Sequence, residues 1–175
     1  GEYVSWATDA DKSRNFELSL RWYRSIGWDL LRNGHRILRR GNDSIAIAGV
    51  ENWGATRRFQ RLGDVGKAIG GIETMKTIIL LSHDPSHWDS IVSKQFPDID
   101  LTLSGHTHGG QVGFDNPMFR RRPSSLAYPN WMGLYEKKHR ETTQYLYVNP
   151  GIGTIGYNGR IGIRPEITLI VLRKH

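Results

Sequence analysis

The sequence contains no cysteine, and this absence excludes disulfide bonds, thiolate metal sites and a cysteine nucleophile. It also has no run approaching the roughly 20 apolar residues that a membrane-spanning helix requires. Residues 1–6 show neither the basic head nor the apolar stretch of a signal peptide. Cysteine content does not decide the compartment, so a cytoplasmic and a membrane-associated location both stay open.

The residues that are present are typical of a globular protein with a substantial core. Of the 175 residues, 38% are hydrophobic and 23% are charged, and we expect one domain spanning residues 1–175. Lys and Arg number 24 against 17 Asp and Glu, which gives a net charge of +7. This excess favours anionic partners, namely phosphorylated small molecules, nucleic acid or anionic lipid. For any single basic cluster, a solvated surface is an equally good interpretation.

The spacing of apolar residues predicts an α/β fold. An amphipathic helix is expected over Ser13–Leu31, with Phe16 and Leu20 on its apolar face, followed by a β-hairpin over residues 36–50. A strand, a helix and a second strand come next, an order typical of a parallel crossover. Residues 109–143 are predicted to form a long loop. The other predicted elements are helices over Asp64–Ile72 and Pro85–Gln95, and strands over Thr77–Ser82, Asp100–Ser104, Tyr145–Val148 and Ile167–Leu172.

Histidines follow both strands of this predicted crossover. His83 comes directly after the first strand, and His106 and His108 come after the second, in the string Gly-His-Thr-His-Gly-Gly-Gln. Because the carboxyl ends of neighbouring parallel strands lie side by side, we expect these three side chains to converge. Neutral imidazole is a good ligand for Zn, Mn, Fe and similar ions. A lone histidine after a strand is more often an ordinary hydrogen-bonded residue, whereas the joint pattern favours a metal site.

These strings resemble a known family. Leu81–Pro85 and Leu103–Gln111 resemble the last two signature blocks of the calcineurin-like metallophosphoesterases, most closely the bacterial branch written Ser-Gly-His-Thr-His-Gly-Gly-Gln. Asn149–Thr154 and Arg160–Leu169 resemble the closing strands of that branch, so the resemblance covers most of the chain. It implies the C-terminal half of an α/β fold in which two sheets form a sandwich flanked by helices.

The resemblance also implies a chemistry. Family members are phosphoesterases with two divalent ions (Mn, Fe, Zn or similar), and the ions activate a water that attacks a phosphoester. Carried over to this sequence, His83 and His106 would ligate one ion and His108 the other.

The first three blocks of the family are not found in this sequence. Asp-x-His does not occur, and Gly63-Asp64 lacks its second Asp because Lys67 stands in that place. Gly41-Asn42-Asp43 lacks the His of a Gly-Asn-His block. Glu2-Tyr3 resembles the residues that follow the third block, so we expect the bridging Asp and the catalytic His to lie outside this chain. The catalytic residues are therefore unknown here, and we expect the chain alone to be nearly inactive.

The missing half of the sandwich has two further consequences. Apolar surface or a strand edge would be left uncovered, which predicts a homodimer. Members of this branch often carry an N-terminal membrane segment, so membrane association of the intact protein is a second expectation.

Two arginine clusters stand out, at 57–61 and at 120–122. The second follows the histidine string and precedes several aromatic residues, so we assign Arg120 and Arg121 as candidate substrate-binding residues that attract phosphate. Contact with an anionic membrane, with nucleic acid, or with solvent alone are the alternatives. The rival function is therefore a non-catalytic basic module that binds an anionic membrane surface or, less expected, nucleic acid.

Overall fold

The computed structural model describes residues 8–56, 60–116, 119–121 and 128–173, and for the strands at 114–116 and 119–121 it describes the backbone alone. Eight strands are present in this part of the chain. Their bounds are β1 (Gly34–Arg40), β2 (Asp43–Gly49), β3 (Ile78–Leu81), β4 (Leu101–Ser104), β5 (Phe114–Asn116), β6 (Phe119–Arg121), β7 (Gly133–Lys138) and β8 (Thr143–Val148).

Six of these strands form one mixed sheet in the order β1-β2-β3-β4-β8-β7, while β5 and β6 form a separate hairpin. The four central strands, β2, β3, β4 and β8, are parallel to one another. The two edge strands, β1 and β7, pair antiparallel to their neighbours. The predicted α/β class and the predicted crossover are thus confirmed, and β3 and β4 are direct neighbours.

The hairpin β1–β2 matches its prediction closely. Arg40 pairs with Asp43, so Gly41 and Asn42 form the turn. Gly41 has a φ of +58°, a conformation that glycine adopts without steric cost. Strand β2 then enters the core, where Ala46 and Ala48 are completely buried between its two neighbours.

The first helix begins and ends earlier than predicted. Helix α1 spans Asp9–Ser25, and the Thr8 hydroxyl caps it by accepting a hydrogen bond from the Asp11 amide at 3.1 Å. Gly27, with a φ of +79°, ends the helix ahead of the predicted end at Leu31. The other helices are α2 (Val65–Ile69), a π-type turn (Trp88–Val92) continued by α3 (Ser93–Gln95), and a 3-10 turn (His108–Gly110).

Two of the predictions for the second half of the chain were wrong. The region 109–143 is not one loop, because it contains β5, β6 and the whole of β7. The predicted strand Ile167–Leu172 pairs with no strand in the described part of the chain. Side chains in this segment still point alternately towards solvent and towards the protein. Ile167 and Leu169 are 88% and 87% exposed, while Thr168 between them accepts a hydrogen bond from Asn149 at 2.7 Å.

The core lies where the sheet meets α2 and the π-type turn. Completely buried members of this core include Ala46, Ala48, Ala68, Leu80, Val92, Ile99, Leu146 and Val148. Among the described residues, no helix is both long enough and apolar enough to cross a lipid bilayer.

Candidate metal centre

The site lies where the four parallel strands end. Because β2, β3, β4 and β8 run in the same direction, the segments that follow them meet at one edge of the sheet. His83 follows β3, and His106 and His108 follow β4. All three line one cavity of about 490 Å³, together with residues that follow β2 and residues of α1.

His83 and His106 are in direct contact. Nε2 of His83 lies 3.3 Å from Nδ1 of His106, and the two rings meet at 78° with centroids 5.1 Å apart. His108 lines the same cavity, and its Nδ1 lies 3.4 Å from the Gly153 carbonyl oxygen. The structure therefore brings two of the three predicted ligands together and places the third on the same cavity wall.

The backbone of the histidine loop (residues 105–111) is strained. In the described residues, four non-glycine residues have a positive φ, and three of them fall within six positions: His106 (+66°), His108 (+50°) and Gln111 (+58°). The left-handed region is costly for residues with a Cβ, and such residues concentrate at functional sites. This strain is independent support for a functional role of the loop.

Packing fixes that strained conformation. The Thr107 hydroxyl is buried and donates to the Trp131 carbonyl at 2.6 Å. Gly109 has a φ of +60°, and a Cβ at this position would lie 2.7 Å from Cγ2 of Ile163. Thr107 and Gly109 therefore shape the loop.

Arg160 joins the histidine loop to the segment that follows β8. Its guanidinium donates to the carbonyls of His108 at 3.2 Å, Pro150 at 2.8 Å and Gly153 at 2.6 Å. Gln111 holds the same segment by donating to the Gly159 carbonyl at 3.2 Å. These bonds fix the backbone on both sides of His108.

The far side of the His106 ring is also held. Its Nε2 lies 2.8 Å from the Tyr128 hydroxyl and 3.6 Å from Oδ2 of Asp84. Asp84 is buried, and its Oδ1 accepts hydrogen bonds from the amide and the hydroxyl of Ser86 at 2.8 and 2.6 Å. Metal-ligating histidines commonly have their second ring nitrogen bound in this way. Nδ1 is therefore the nitrogen of His106 that faces His83 and the cavity.

The surroundings keep His83 neutral. The side chain remains accessible from the cavity, yet the protein around it lowers its pKa, first by reducing hydration of the charged form and then through the nearby His106. Asp84 opposes this shift. A neutral imidazole is the form that binds a metal, because the ring nitrogen then keeps its lone pair.

The donor set fits part of a metal site. Ring nitrogens of His83 and His106 lie side by side, and the His83 ring is neutral. The other nitrogen of His106 is held by Tyr128 and Asp84. These features are suitable for binding one divalent ion. Among the described residues, however, no group of three or more His, Asp or Glu side chains has the arrangement needed to hold a metal. His108 thus does not complete a three-ligand cluster with His83 and His106 in this structure.

The other predicted residues have varied outcomes. The backbones of Arg120 and Arg121 pair with β5, but their side chains lie outside the described residues, as do Arg57, Arg58 and His175. His87, which follows His83 by four residues, is 1% exposed and stacks on Trp53 with ring centroids 4.8 Å apart. His35 lies in β1, where its Nδ1 is 2.9 Å from the Ala68 carbonyl oxygen.

Sequence reasoning missed two components of the site. Tyr128 was assigned only to a loop, and no signal in the sequence places its hydroxyl against His106. Helix α1 was predicted only as amphipathic, and in the structure its Phe16, Leu20 and Tyr23 line the cavity beside the histidines. The apolar periodicity of α1 was visible, but periodicity does not distinguish a core from a cavity wall.

The protein is therefore an α/β domain whose three histidines lie beyond the carboxyl ends of its parallel strands, where domains of this class bind ligands. No family model matches the chain. Over 170 residues, the chain is 39% identical to a zebrafish (Danio rerio) "Transmembrane protein with metallophosphoesterase domain". The aligned region covers 94% of this chain and 36% of that protein. An uncharacterised metallophosphoesterase of Helicobacter pylori is 37% identical over 73% of this chain and 32% of its own length. The metallophosphoesterase YkoQ of Bacillus subtilis is 27% identical over 90% of this chain and 54% of its own length.

The chain belongs to the calcineurin-like metallophosphoesterase family. The relatives include vertebrate and bacterial proteins, so membership of the bacterial branch stays a prediction. The chain spans about a third to a half of the length of these relatives.

Proposed function

We propose that this chain supplies the histidine half of a dinuclear metal site in a metal-dependent phosphoesterase. The observation that carries the proposal is the pairing of His83 and His106 at 3.3 Å, at the ends of two adjacent parallel strands and on the wall of a cavity shared with His108. The strained backbone at His106 and His108 adds support, because such strain concentrates at functional sites.

In this proposal each residue has a defined role. His83 and His106 would hold one ion through ring nitrogens, and His108 would contribute to holding the second. Asp84 and Tyr128 orient the His106 ring from its other nitrogen. Divalent ions such as Mn, Fe or Zn supply a water of lowered pKa and positive charge at the phosphoryl oxygens when they are bound.

The sequence contains no Asp-x-His block, and the described residues offer no bridging carboxylate cluster. We therefore propose that the chain alone is nearly inactive and that the carboxylate ligands come from elsewhere in the intact protein.

The direct test is hydrolysis of bis(p-nitrophenyl) phosphate with added Mn²⁺. The chain alone should show little activity, and a chimera that adds the first three blocks of a relative should gain activity that His108→Ala removes. A chimera that folds, binds Mn²⁺ and remains inactive would contradict the proposed function. High activity of the chain alone would contradict the half-site.

Two partner proposals accompany this function. Arg120 and Arg121 are proposed to attract the substrate phosphate, and in the active chimera their replacement by Ala should raise KM more than it lowers kcat. Membrane association of the intact protein is proposed because the zebrafish relative is named a transmembrane protein.

Self-association of this chain is proposed from the exposed Ile167 and Leu169. Sedimentation equilibrium tests it: a dimer that Ile167→Lys converts to a monomer is expected. A wild-type chain that stays monomeric up to high concentration would contradict it.

A further inference from the structure

The cavity beside the histidines is larger than a phosphate requires. Its volume of about 490 Å³ lies within the range of roughly 300–1,000 Å³ that small-molecule sites occupy. The three histidines account for only part of its lining, so the remaining wall determines which phosphoesters fit.

Most of that wall is apolar and comes from α1 and the segment after it. Phe16, Leu20 and Tyr23 recur at helical spacing and line the cavity together with Leu30 and Leu31. The apolar stripe of α1 thus faces the same space as the imidazoles. Ile155, from the loop after β8, lines the cavity as well.

The charge of the cavity is already balanced. Among the described lining residues, Arg32 is the one Arg or Lys, and its Nε lies 2.6 Å from Oε1 of Glu51. Its guanidinium also stacks over the Phe16 ring at 4.8 Å. A polyphosphate or a nucleotide needs cations along its length, and this part of the wall offers none that is unpaired. A single phosphate at the histidines followed by an uncharged chain is the better match.

The mouth of the cavity continues this apolar surface. Leu30 lines the cavity while remaining 39% exposed, and Trp28 stacks on Tyr23 with ring centroids 5.7 Å apart. Exposed apolar groups that adjoin a cavity mark a binding surface for apolar ligands.

From these observations we infer that the site takes an amphipathic phosphoester, with its phosphate at the histidines and its hydrocarbon chain against α1, Leu30 and Ile155. This inference rests on the proposed function and adds the substrate class.

The test measures binding to this chain rather than turnover. Inorganic phosphate, butyl phosphate and octyl phosphate are titrated by calorimetry, the alkyl phosphates below their critical micelle concentrations. Burial of one methylene contributes enough to tighten binding by about fourfold, so octyl phosphate should bind at least about tenfold more tightly than butyl phosphate. Equal affinity for the two alkyl phosphates would overturn the inference.

Matched leucine variants locate the hydrocarbon chain. Leu30→Gln should weaken octyl phosphate binding roughly tenfold and leave inorganic phosphate unchanged. Leu18→Gln is the control, because Leu18 is 53% exposed on α1 and does not line the cavity. Ile155→Gln approaches the cavity from another loop and replaces Leu30→Gln if that variant does not fold. Equal effects of Leu30→Gln and Leu18→Gln would contradict the inference.

The same titrations separate this inference from the proposed function. They are repeated with EDTA and with Mn²⁺. Dependence on chain length without any effect of Mn²⁺ would support the apolar site and contradict the metal site. Mn²⁺-dependent phosphate binding that does not depend on the length of the hydrocarbon chain would support the metal site and contradict the apolar site.

Discussion

His83 and His87 lie four residues apart in the segment after β3, yet their side chains have different surroundings. His83 is accessible from the cavity and contacts His106 through a ring nitrogen. His87 is enclosed, stacks on Trp53, and its Nδ1 lies 2.9 Å from the Ser82 hydroxyl. Burial lowers the pKa of His87 to about 4.

The comparison separates a histidine available for chemistry from one that serves the fold. Both are neutral near pH 7, so protonation does not distinguish them. What differs is the surroundings of the ring nitrogens, since those of His83 and His106 meet at the cavity while Nδ1 of His87 is held by a buried hydroxyl. A change at His87 should therefore affect stability, and a change at His83 should affect ligand binding.

The largest effect is expected from His87→Ala. The substitution removes the stacking on Trp53, opens a cavity and leaves the buried Ser82 hydroxyl without its partner. Together these should lower the free energy of unfolding by about 2–4 kcal/mol at pH 7. Urea unfolding measures it, with Leu18→Ala as the exposed control. A loss below about 0.5 kcal/mol would place His87 outside the core.

The free energy of unfolding should also depend on pH through His87. The unfolded chain binds a proton at His87 below about pH 6.5, whereas the folded chain binds it only near pH 4. The contribution of neutral His87 to the free energy of unfolding is therefore fully present above pH 6.5 and is lost as the pH falls from 6.5 to 4. This contribution is roughly 3 kcal/mol. Burial raises the pKa of Asp89 and of Asp100, which adds an opposite slope at low pH.

The difference between wild type and His87→Gln isolates this share of the acid effect. The variant should lose less stability than the wild type between pH 6.5 and 4. Parallel stability curves for the two proteins would contradict the assignment.

Two glycines of the histidine loop provide the next test. Gly109→Ala places a Cβ against Ile163 in a left-handed conformation, and we expect a loss of about 1–3 kcal/mol. Gly105→Ala is the matched control, since its Cβ would have no neighbour nearer than 3.8 Å and its φ is not positive. Thermal unfolding of both variants checks this, and equal losses would mean that packing at Gly109 does not fix the loop.

Much of the sheet followed from the sequence because its signals are local. The apolar runs of β2, β3 and β4 and the Gly41-Asn42 turn each specify their own structure. The placement of His83 and His106 also followed, because adjacent parallel strands must end side by side.

The contacts that failed prediction are non-local. Tyr128 reaches His106 across 22 positions of the chain, and Arg160 reaches the His108 carbonyl across 52. The burial of His87 could not be predicted either, because helical spacing does not reveal which side of the turn faces Trp53. The segment Ile167–Leu172 has the alternation of a strand, but a strand also needs a partner, and none lies beside it among the described residues.

The most direct test of the central claim is a Co²⁺ titration of three proteins, followed by visible absorption: wild type, His83→Ala and His87→Ala. The account predicts that His87→Ala, where it is folded, binds Co²⁺ as the wild type does, while His83→Ala weakens binding more than about tenfold without loss of stability. Equal Co²⁺ affinity of His83→Ala and the wild type, or loss of binding in a folded His87→Ala alone, would contradict it.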